Sequence, residues 1–305
     1  MTGSATIEVA GCGPVTTLQD LGRRGVACYG VAASGAADRG SLRLVNRLVG
    51  NEEAEAAIEV LAGNIELRVT AGTAIVAVAG GSCAVTVDGR EDGMNAPLEL
   101  RAGSRLHCGA IWNGIRAYVA VRGGLDVPPV MGSRSYDTLG RIGPAPLRAG
   151  DVLKVAGRLG AEPAWHGPAP VRLLPELPTL RISPGPRYDW LAGEGRSRLS
   201  EARWLVSPDS DRIGIRLDGP RVPRRSGELL SEPVIPGAVQ LSTAGQPILL
   251  GPDCGVTGGY PVVGVMLDAD LDLAGQLAPG SRVLLHWHDT DNDAHRSEQL
   301  EATGD

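Results

Sequence analysis

Phenylalanine is absent from this 305-residue chain, and aromatic residues make up only 3% of it. Val, Leu, Ile and Ala must therefore fill its core. Lysine is almost absent too: Lys154 is the single copy, and every other long basic side chain is arginine. No G-x-x-x-x-G-K-[ST] stretch is present, which excludes a Walker-type phosphate loop. No apolar run approaches the roughly 18 residues that a membrane-spanning helix needs. A basic excess is also lacking. The net charge of -6 argues against a nucleic-acid surface. The five cysteines, Cys12, Cys28, Cys83, Cys108 and Cys254, form no C-x-x-C pair. An odd count without a framework is expected of free thiols in a reducing compartment. Met1 to Ala10 has no basic region leading into an apolar core, so no secretory signal is expected and a cytoplasmic protein is.

Glycine and proline are plentiful instead, at 43 and 22 residues. They predict many turns, hence many short strands and few long helices. The length suits two domains or one large barrel. Ala5 to Val9 alternates and reads as a strand. From Asp38 the period changes: Leu42, Val45, Leu48 and Val49 share one helical face. Asp38 suits the N-cap of this helix and Gly50 its stop. Strands follow at 57–61, 65–69 and 73–78, and Gly80-Gly81 is expected to turn the chain. Asp88-Gly89 after Ala84 to Val87 is the strongest hairpin signal. Further strands are expected at 97–100, 105–108 and 116–121. Val130 to Gly143 reads as a mobile, functional loop. A stretch rich in Pro, Ala and Gly over 161–178 reads as a linker. It divides a domain at 1–160 from a second at 179–290, with a flexible tail at 291–305. Leu147 to Leu153 and Leu277 to Leu284 share a tight turn leading into an apolar strand, which suggests two related β-barrels in tandem.

Most chemical motifs are missing. There is no G-x-S-x-G elbow. Cys254, before a glycine-rich turn, is the best thiol candidate, against the plainer reading of a packed cysteine. His286-x-His288-Asp289 offers two imidazoles on one strand face but no third ligand. His107 and His166 are isolated, so no metal site is predicted.

Three polar, glycine-bearing segments remain. The first runs from Gln19 to Arg23 and from Gly30 to Arg39, and contains Ser34, Gly35, Asp38 and Arg39. The second is Ser207 to Gly214, with Asp211 and Arg212. The third is Thr257-Gly258-Gly259-Tyr260-Pro261. A hydroxyl with free backbone N–H groups can hold an oxygen atom, and an arginine can clamp a carboxylate. The same residues also suit Asp-capped turns and buried Asp–Arg pairs that stitch loops together. Both readings stand on the residues alone.

These segments carry a resemblance. Gly13-Pro14-Val15-Thr16-Thr17-Leu18-Gln19-Asp20-Leu21-Gly22-Arg23, then Ser34-Gly35-Ala36-Ala37-Asp38, resemble the start of the biotin-dependent carboxyltransferase / allophanate hydrolase subunit 2 family. That family includes KipA-type proteins and the 5-oxoprolinase C subunit. The likeness continues through Asn46 to Asn51, Arg116 to Gly124, Gly132 to Ser135, Ser207 to Leu217, Leu229 to Glu232, Pro236 to Gln240 and Thr257 to Pro261. Asp253-Cys254-Gly255-Val256-Thr257 departs from it, keeping one threonine where relatives often carry two.

The resemblance implies a mainly β fold of tandem cyclophilin-like β-barrels with a few short helices. It implies a heteromer with a KipI-like (allophanate hydrolase subunit 1-like) subunit, and in 5-oxoprolinase-like systems a LamB/YcsF-like subunit as well. The leading expectation is a subunit of an ATP-dependent amidohydrolase that opens 5-oxoproline to L-glutamate. No cofactor is expected on this chain, because the complex would bind ATP elsewhere. The alternatives are a carboxyltransferase subunit of a biotin-dependent urea carboxylase, and a non-enzymatic KipA-type regulator. The expected catalytic residues are Asp38 and Asp211. The expected substrate-binding residues are Ser34, Gly35, Arg39, Arg212, Thr257, Gly258, Gly259 and Tyr260, acting on a small amide.

Overall fold

A computed structural model describes residues 5–158, 167–170 and 173–288. Its strands fall into two groups. The first comprises β1 (Thr6–Gly11), β2 (Val15–Gln19), β3 (Ala57–Leu61), β4 (Gly63–Ala71), β5 (Thr73–Val87), β6 (Arg90–Asp92), β7 (Pro97–Arg101), β8 (Arg105–Val121) and β9 (Val152–Lys154). The second comprises β10 (Thr179–Pro184), β11 (Trp204–Val206), β12 (Gly214–Asp218), β13 (Glu232–Pro233), β14 (Ala238–Leu241), β15 (Pro247–Leu250), β16 (Thr257–Gly258), β17 (Val262–Met266) and β18 (Arg282–Trp287). Three α-helices punctuate them: α1 (Arg39–Leu48), α2 (Gly195–Glu201) and α3 (Asp268–Gly275).

The first group is one nine-stranded sheet in the order β2-β3-β8-β4-β1-β9, with β5 branching off to pair β6, β7 and β8. It curls into a half-barrel over a core of Val, Leu and Ile, as a chain without phenylalanine requires. In the second group, β10-β17-β14-β15-β12-β11-β18 close into a seven-stranded barrel, which removes the open edges of a sheet. Trp204 fills its centre and donates its indole N–H to the Leu199 carbonyl at 2.9 Å. β13 and β16 form a separate two-stranded ribbon.

The local signals explain most of these elements. Asp38 caps α1 by accepting from the Ser41 N–H at 2.8 Å. Leu42, Val45 and Leu48 turn inward onto Ala77, Ala79 and Tyr118 of β5 and β8. Asp88 and Gly89 both have positive φ, 52° and 77°, as a type I′ hairpin demands.

Gly80-Gly81, however, does not reverse the chain. β5 passes straight through it, and the register against β8 shifts between Gly80 and Ser82. A β-bulge at glycine bends a strand without ending it. Expected strands 105–108 and 116–121 are likewise two ends of the single strand β8. The loop 130–143 is pinned: Asp20 accepts from the hydroxyls of Ser133 and Ser135, both at 2.6 Å, and from the Arg134 N–H, also at 2.6 Å. The expected linker, 161–178, lies partly outside the described residues. Its described parts are tied to the first unit, where Ala169 N–H donates to the Asn95 carbonyl at 2.7 Å and Leu174 exchanges two bonds with the Asn113 amide. The expected tail and His166 lie outside the described residues.

The end of α3 docks the barrel onto the first sheet through one amide. Gln276 Oε1 accepts from the N–H groups of Ile115 and Arg116 at 3.0 and 2.9 Å. Its Nε2 donates to Asp38 Oδ2 at 2.7 Å and to the Arg116 carbonyl at 2.9 Å. All four valences of a buried side chain are thus spent across the seam. Gln276→Ala would strand the groups it serves. We expect a loss of about 2–4 kcal/mol, read as a lower midpoint in urea denaturation. An unchanged midpoint would show that this seam does not hold the units together.

Candidate functional site

Both units converge on the Arg212 side chain. It lies in the loop between β11 and β12, 6% exposed. Nε and Nη2 donate to the two oxygens of Asp253 at 2.8 and 2.9 Å. Nη1 reaches across to Glu59 Oε1 on β3 at 2.6 Å. Nη2 also donates to the Gly35 carbonyl at 2.5 Å.

Each carboxylate is then held by further donors. Asp253 accepts from Ser34 Oγ at 2.6 Å, from Thr138 Oγ1 at 2.7 Å and from the Thr138 N–H at 3.0 Å. Glu59 Oε2 accepts from Tyr118 Oη at 2.7 Å and from the Ala37 N–H at 3.1 Å. Arg116 Nε stands 3.5 Å from Glu59 Oε1.

The loop that delivers Ser34 and Gly35 is folded by backbone contact. Ser34 has φ 57° and Gly35 has φ 100°. A Cβ on Gly22 would lie 2.6 Å from the Ser34 carbonyl oxygen, so only glycine lets the two arms of the opening segment cross.

The electrostatics follow from this packing. Burial opposes the charge on Arg212, but Glu59 and Asp253 hold its pKa above the ordinary arginine value. Burial likewise opposes ionisation of Asp253, yet Arg212, Ser34 and Thr138 keep it below the usual carboxylate range. Asp38 goes the other way. Burial pushes its pKa up despite bonds from Ser41 and Gln276. Burial, with the charges of Glu59 and Asp38, drives the Tyr118 phenol well above its normal value. Tyr118 therefore acts as a neutral donor.

Beside this network lies a cavity of about 230 Å³ between the units. Arg23, Arg24, Arg39, Arg116 and Arg212 contribute to its wall, against a single acid, Asp211. Ile215, Met266 and Leu271 give it an apolar side. Arg39 is engaged by Asp268 at 2.6 Å. Arg23 is spent largely on the carbonyls of Val130, Ser135 and Ile142, but its buried Nη1 has no partner. Arg24 is exposed and pairs with no acid among the described residues. Such a wall favours a small anion with an apolar part.

The expected site residues divide. Ser34, Arg39, Asp211 and Arg212 line this one cavity, and Gly35 bonds Arg212 at its edge. The Asp38-Arg39 and Asp211-Arg212 loops thus meet, although they come from different units. Asp38 itself faces a neighbouring cavity and caps α1. The Asp211 carboxylate caps its own turn, accepting from Ile213 and Gly214 N–H at 2.8 and 3.0 Å. Thr257, Gly258, Gly259 and Tyr260 do not join the others. They sit on and after the β13–β16 ribbon, outside the arginine-lined wall. Cys254 is buried, and burial with the Asp253 charge pushes its thiol up to about 12, so it is no ready nucleophile.

Glu59, Arg116, Asp253 and Arg24 were not among the expected site residues, although Arg116 and Asp253 stand in segments quoted for the resemblance or the departure from it. Glu59 did leave a signal. It is a lone acid inside the apolar run Ala57-Ile58-Glu59-Val60-Leu61, and a charge in a strand buried on both faces needs a partner.

The profile of the family described as "Carboxyltransferase domain, subdomain A and B" matches residues 29–287. This chain belongs to that family. The carboxyltransferase-domain chain is 33% identical over 281 residues to the 5-oxoprolinase C subunit of Escherichia coli, covering 91% of this chain and 89% of that protein. The crystal structure of TTHA0988 matches with a TM-score of 0.84 at 35% identity, covering 95% of this chain and 56% of that one. The crystal structure of the Kluyveromyces lactis urea carboxylase matches with a TM-score of 0.88 at 28% identity, covering 98% and 29%. The carboxyltransferase-domain chain thus spans most of the bacterial protein, but only part of each solved chain.

Two measurements test the network. Arg212→Ala leaves Asp253 and Glu59 buried without their cation, and should cost about 3–5 kcal/mol in thermal or chemical unfolding. Asp253 has a depressed pKa, so its contribution is present above the unfolded-state value and lost as pH falls through the folded one. Asp253→Asn should remove that part of the acid limb of the stability profile. An identical acid limb in the variant would show that Asp253 does not carry it.

Proposed function

We propose that this chain is the C-type subunit of a multi-subunit, ATP-dependent 5-oxoprolinase that opens 5-oxoproline to L-glutamate. The observation that carries the reading is the arginine-walled cavity between the units. It suits a small ring bearing one carboxylate. Collinearity supports the reading: the likeness to the Escherichia coli 5-oxoprolinase C subunit covers 89% of that protein.

The chemistry divides between subunits. A lactam carbonyl is a poor electrophile, and phosphorylation by ATP activates it before water attacks. This chain has no phosphate loop, so another subunit, KipI-like or LamB/YcsF-like, supplies ATP. The arginine wall binds and orients the substrate carboxylate, with Arg24 as the contact that no acid already occupies. Ile215, Met266 and Leu271 pack the ring and exclude water.

A second reading rests on the family description and on the likeness to a urea carboxylase. On that reading the chain is the carboxyltransferase subunit of a biotin-dependent complex. The same cationic wall suits the carboxylate carried by carboxybiotin, which would arrive on a carrier in another chain.

Co-expression with candidate partner subunits separates the readings. ATP-dependent release of glutamate from 5-oxoproline, insensitive to avidin, is the expected result. Arg24→Ala should lower kcat/KM for 5-oxoproline about tenfold or more, mostly through KM, without changing the unfolding midpoint. Avidin-sensitive carboxyl transfer to urea would establish the second reading. Partner binding without turnover of either amide would overturn both.

A further inference from the structure

Sulfur is scarce in this chain, with five cysteines and four methionines among 305 residues. Three of these sulfur atoms nevertheless meet at one place. They belong to Cys83, Cys108 and Met94, none of which lines the arginine-walled cavity.

Strand geometry brings them together. On β8, Leu106 and Cys108 turn into the core while His107 between them is exposed. Cys108 is fully buried, flanked by Ile65 of β4 and Val85 of β5. Cys83 precedes Val85 by two residues and packs in the same core. The register against β8 is irregular on both sides of Cys83, and a bulge of this kind re-aims a side chain. The Cys108 thiol is hydrogen-bonded to that of Cys83. Met94, in the loop after β6, completes the group. Its Sδ accepts from the Cys83 N–H at 3.3 Å and from the Cys83 thiol at 3.9 Å.

Cysteine and methionine also pack as plain apolar residues. Here the three sulfurs point at one another. Metal–sulfur bonds of about 2.3 Å place two sulfurs on one ion roughly 4 Å apart, and the Cys83–Met94 separation is 3.9 Å. A disulfide fits less well. Cys83 and Cys108 are diagonal neighbours on paired strands, a relation that sets residues about 7–8 Å apart, beyond the usual span of a disulfide.

The donor set selects the ion. Zinc takes four nitrogen or sulfur ligands, and His107 points away from the three sulfurs. Calcium and magnesium need oxygen ligands. Thiolates with a thioether favour copper(I). Met94 is half-buried and Gly93 beside it is exposed, so the thioether forms the outer side of the cluster and the thiols lie behind it.

We propose that Cys83, Cys108 and Met94 form a binding site for one copper(I) ion. Each thiol gives up its proton, and the two thiolates and the thioether hold the ion. Bound there, it ties β5 and β8 to the loop that carries Met94.

The test is anaerobic titration of the full chain with copper(I) against a chromogenic copper(I) chelator, with ascorbate present. One ion per chain should be withheld from the chelator, and its binding should raise the thermal unfolding midpoint. Loss of an outer partner of a metal site costs tenfold or more, and loss of a ligand at least as much. Cys83→Ser and Met94→Leu should therefore each weaken binding about tenfold or more. Cys28→Ser, which removes an exposed thiol, should leave it unchanged. Met94→Leu conserves volume at a half-buried position, so this variant keeps the fold. Release of all the copper to the chelator, affinity unaffected by Cys83→Ser or by Met94→Leu, or an equal loss in Cys28→Ser would each overturn the proposal.

Discussion

A guanidinium buried between two carboxylates from different parts of the chain is the constraint on which this structure depends. Arg212 and Asp253 belong to the closed barrel, and Glu59 belongs to the curled sheet. Removing a charge from water costs several kcal/mol unless it is paired and hydrogen-bonded. Asp253 pairs Arg212 from within the barrel, and Glu59, at 2.6 Å, completes the pairing from the other unit. The pairing therefore sets the position of one unit against the other. Tyr118, Ser34 and Thr138 close the outer valences of the two acids. Gln276 repeats the device with a neutral amide at the end of α3. The arginine-lined cavity lies beside these two fixed points, so its shape follows from the seam.

Much of the architecture was legible in the residues. The α1 periodicity, its Asp38 cap and the Asp88-Gly89 hairpin are local signals, and local physics decides them. The chain is mainly β because glycine and proline interrupt short β-branched runs. The errors have one cause in common: they depend on partners distant in sequence. Gly80-Gly81 looks like a turn, but the long strand β8 pairs on both sides of it and makes it a bulge. α3 is rich in acid and weakly amphipathic, since Asp268, Asp270 and Asp272 serve Arg39, Arg181 and the start of α1. Nothing in a local window announces such a helix.

The candidate site was legible in part. Ser34, Gly35, Arg39, Asp211 and Arg212 do gather at one seam. Their polar side chains were read as ligand contacts, whereas several of them bond one another. Asp211 closes its turn and Arg212 joins two units. Thr257 to Tyr260 look similar in composition but lie on a ribbon of their own. Arg24 attracts no notice beside Arg23, yet burial separates them: Arg23 is spent on carbonyls and Arg24 is exposed at the cavity.

Charge is what distinguishes the arginine-lined cavity, and charge is what a substrate of the proposed reaction presents. Its wall carries five arginines against a single acid. A crystal structure of the assembled complex with 5-oxoproline bound tests the central claim most directly. The account predicts the substrate carboxylate in the arginine-lined cavity, within hydrogen-bond distance of Arg24, with Arg212 still held by Asp253 and Glu59. A substrate bound wholly on another subunit, with this cavity filled by water, would contradict it.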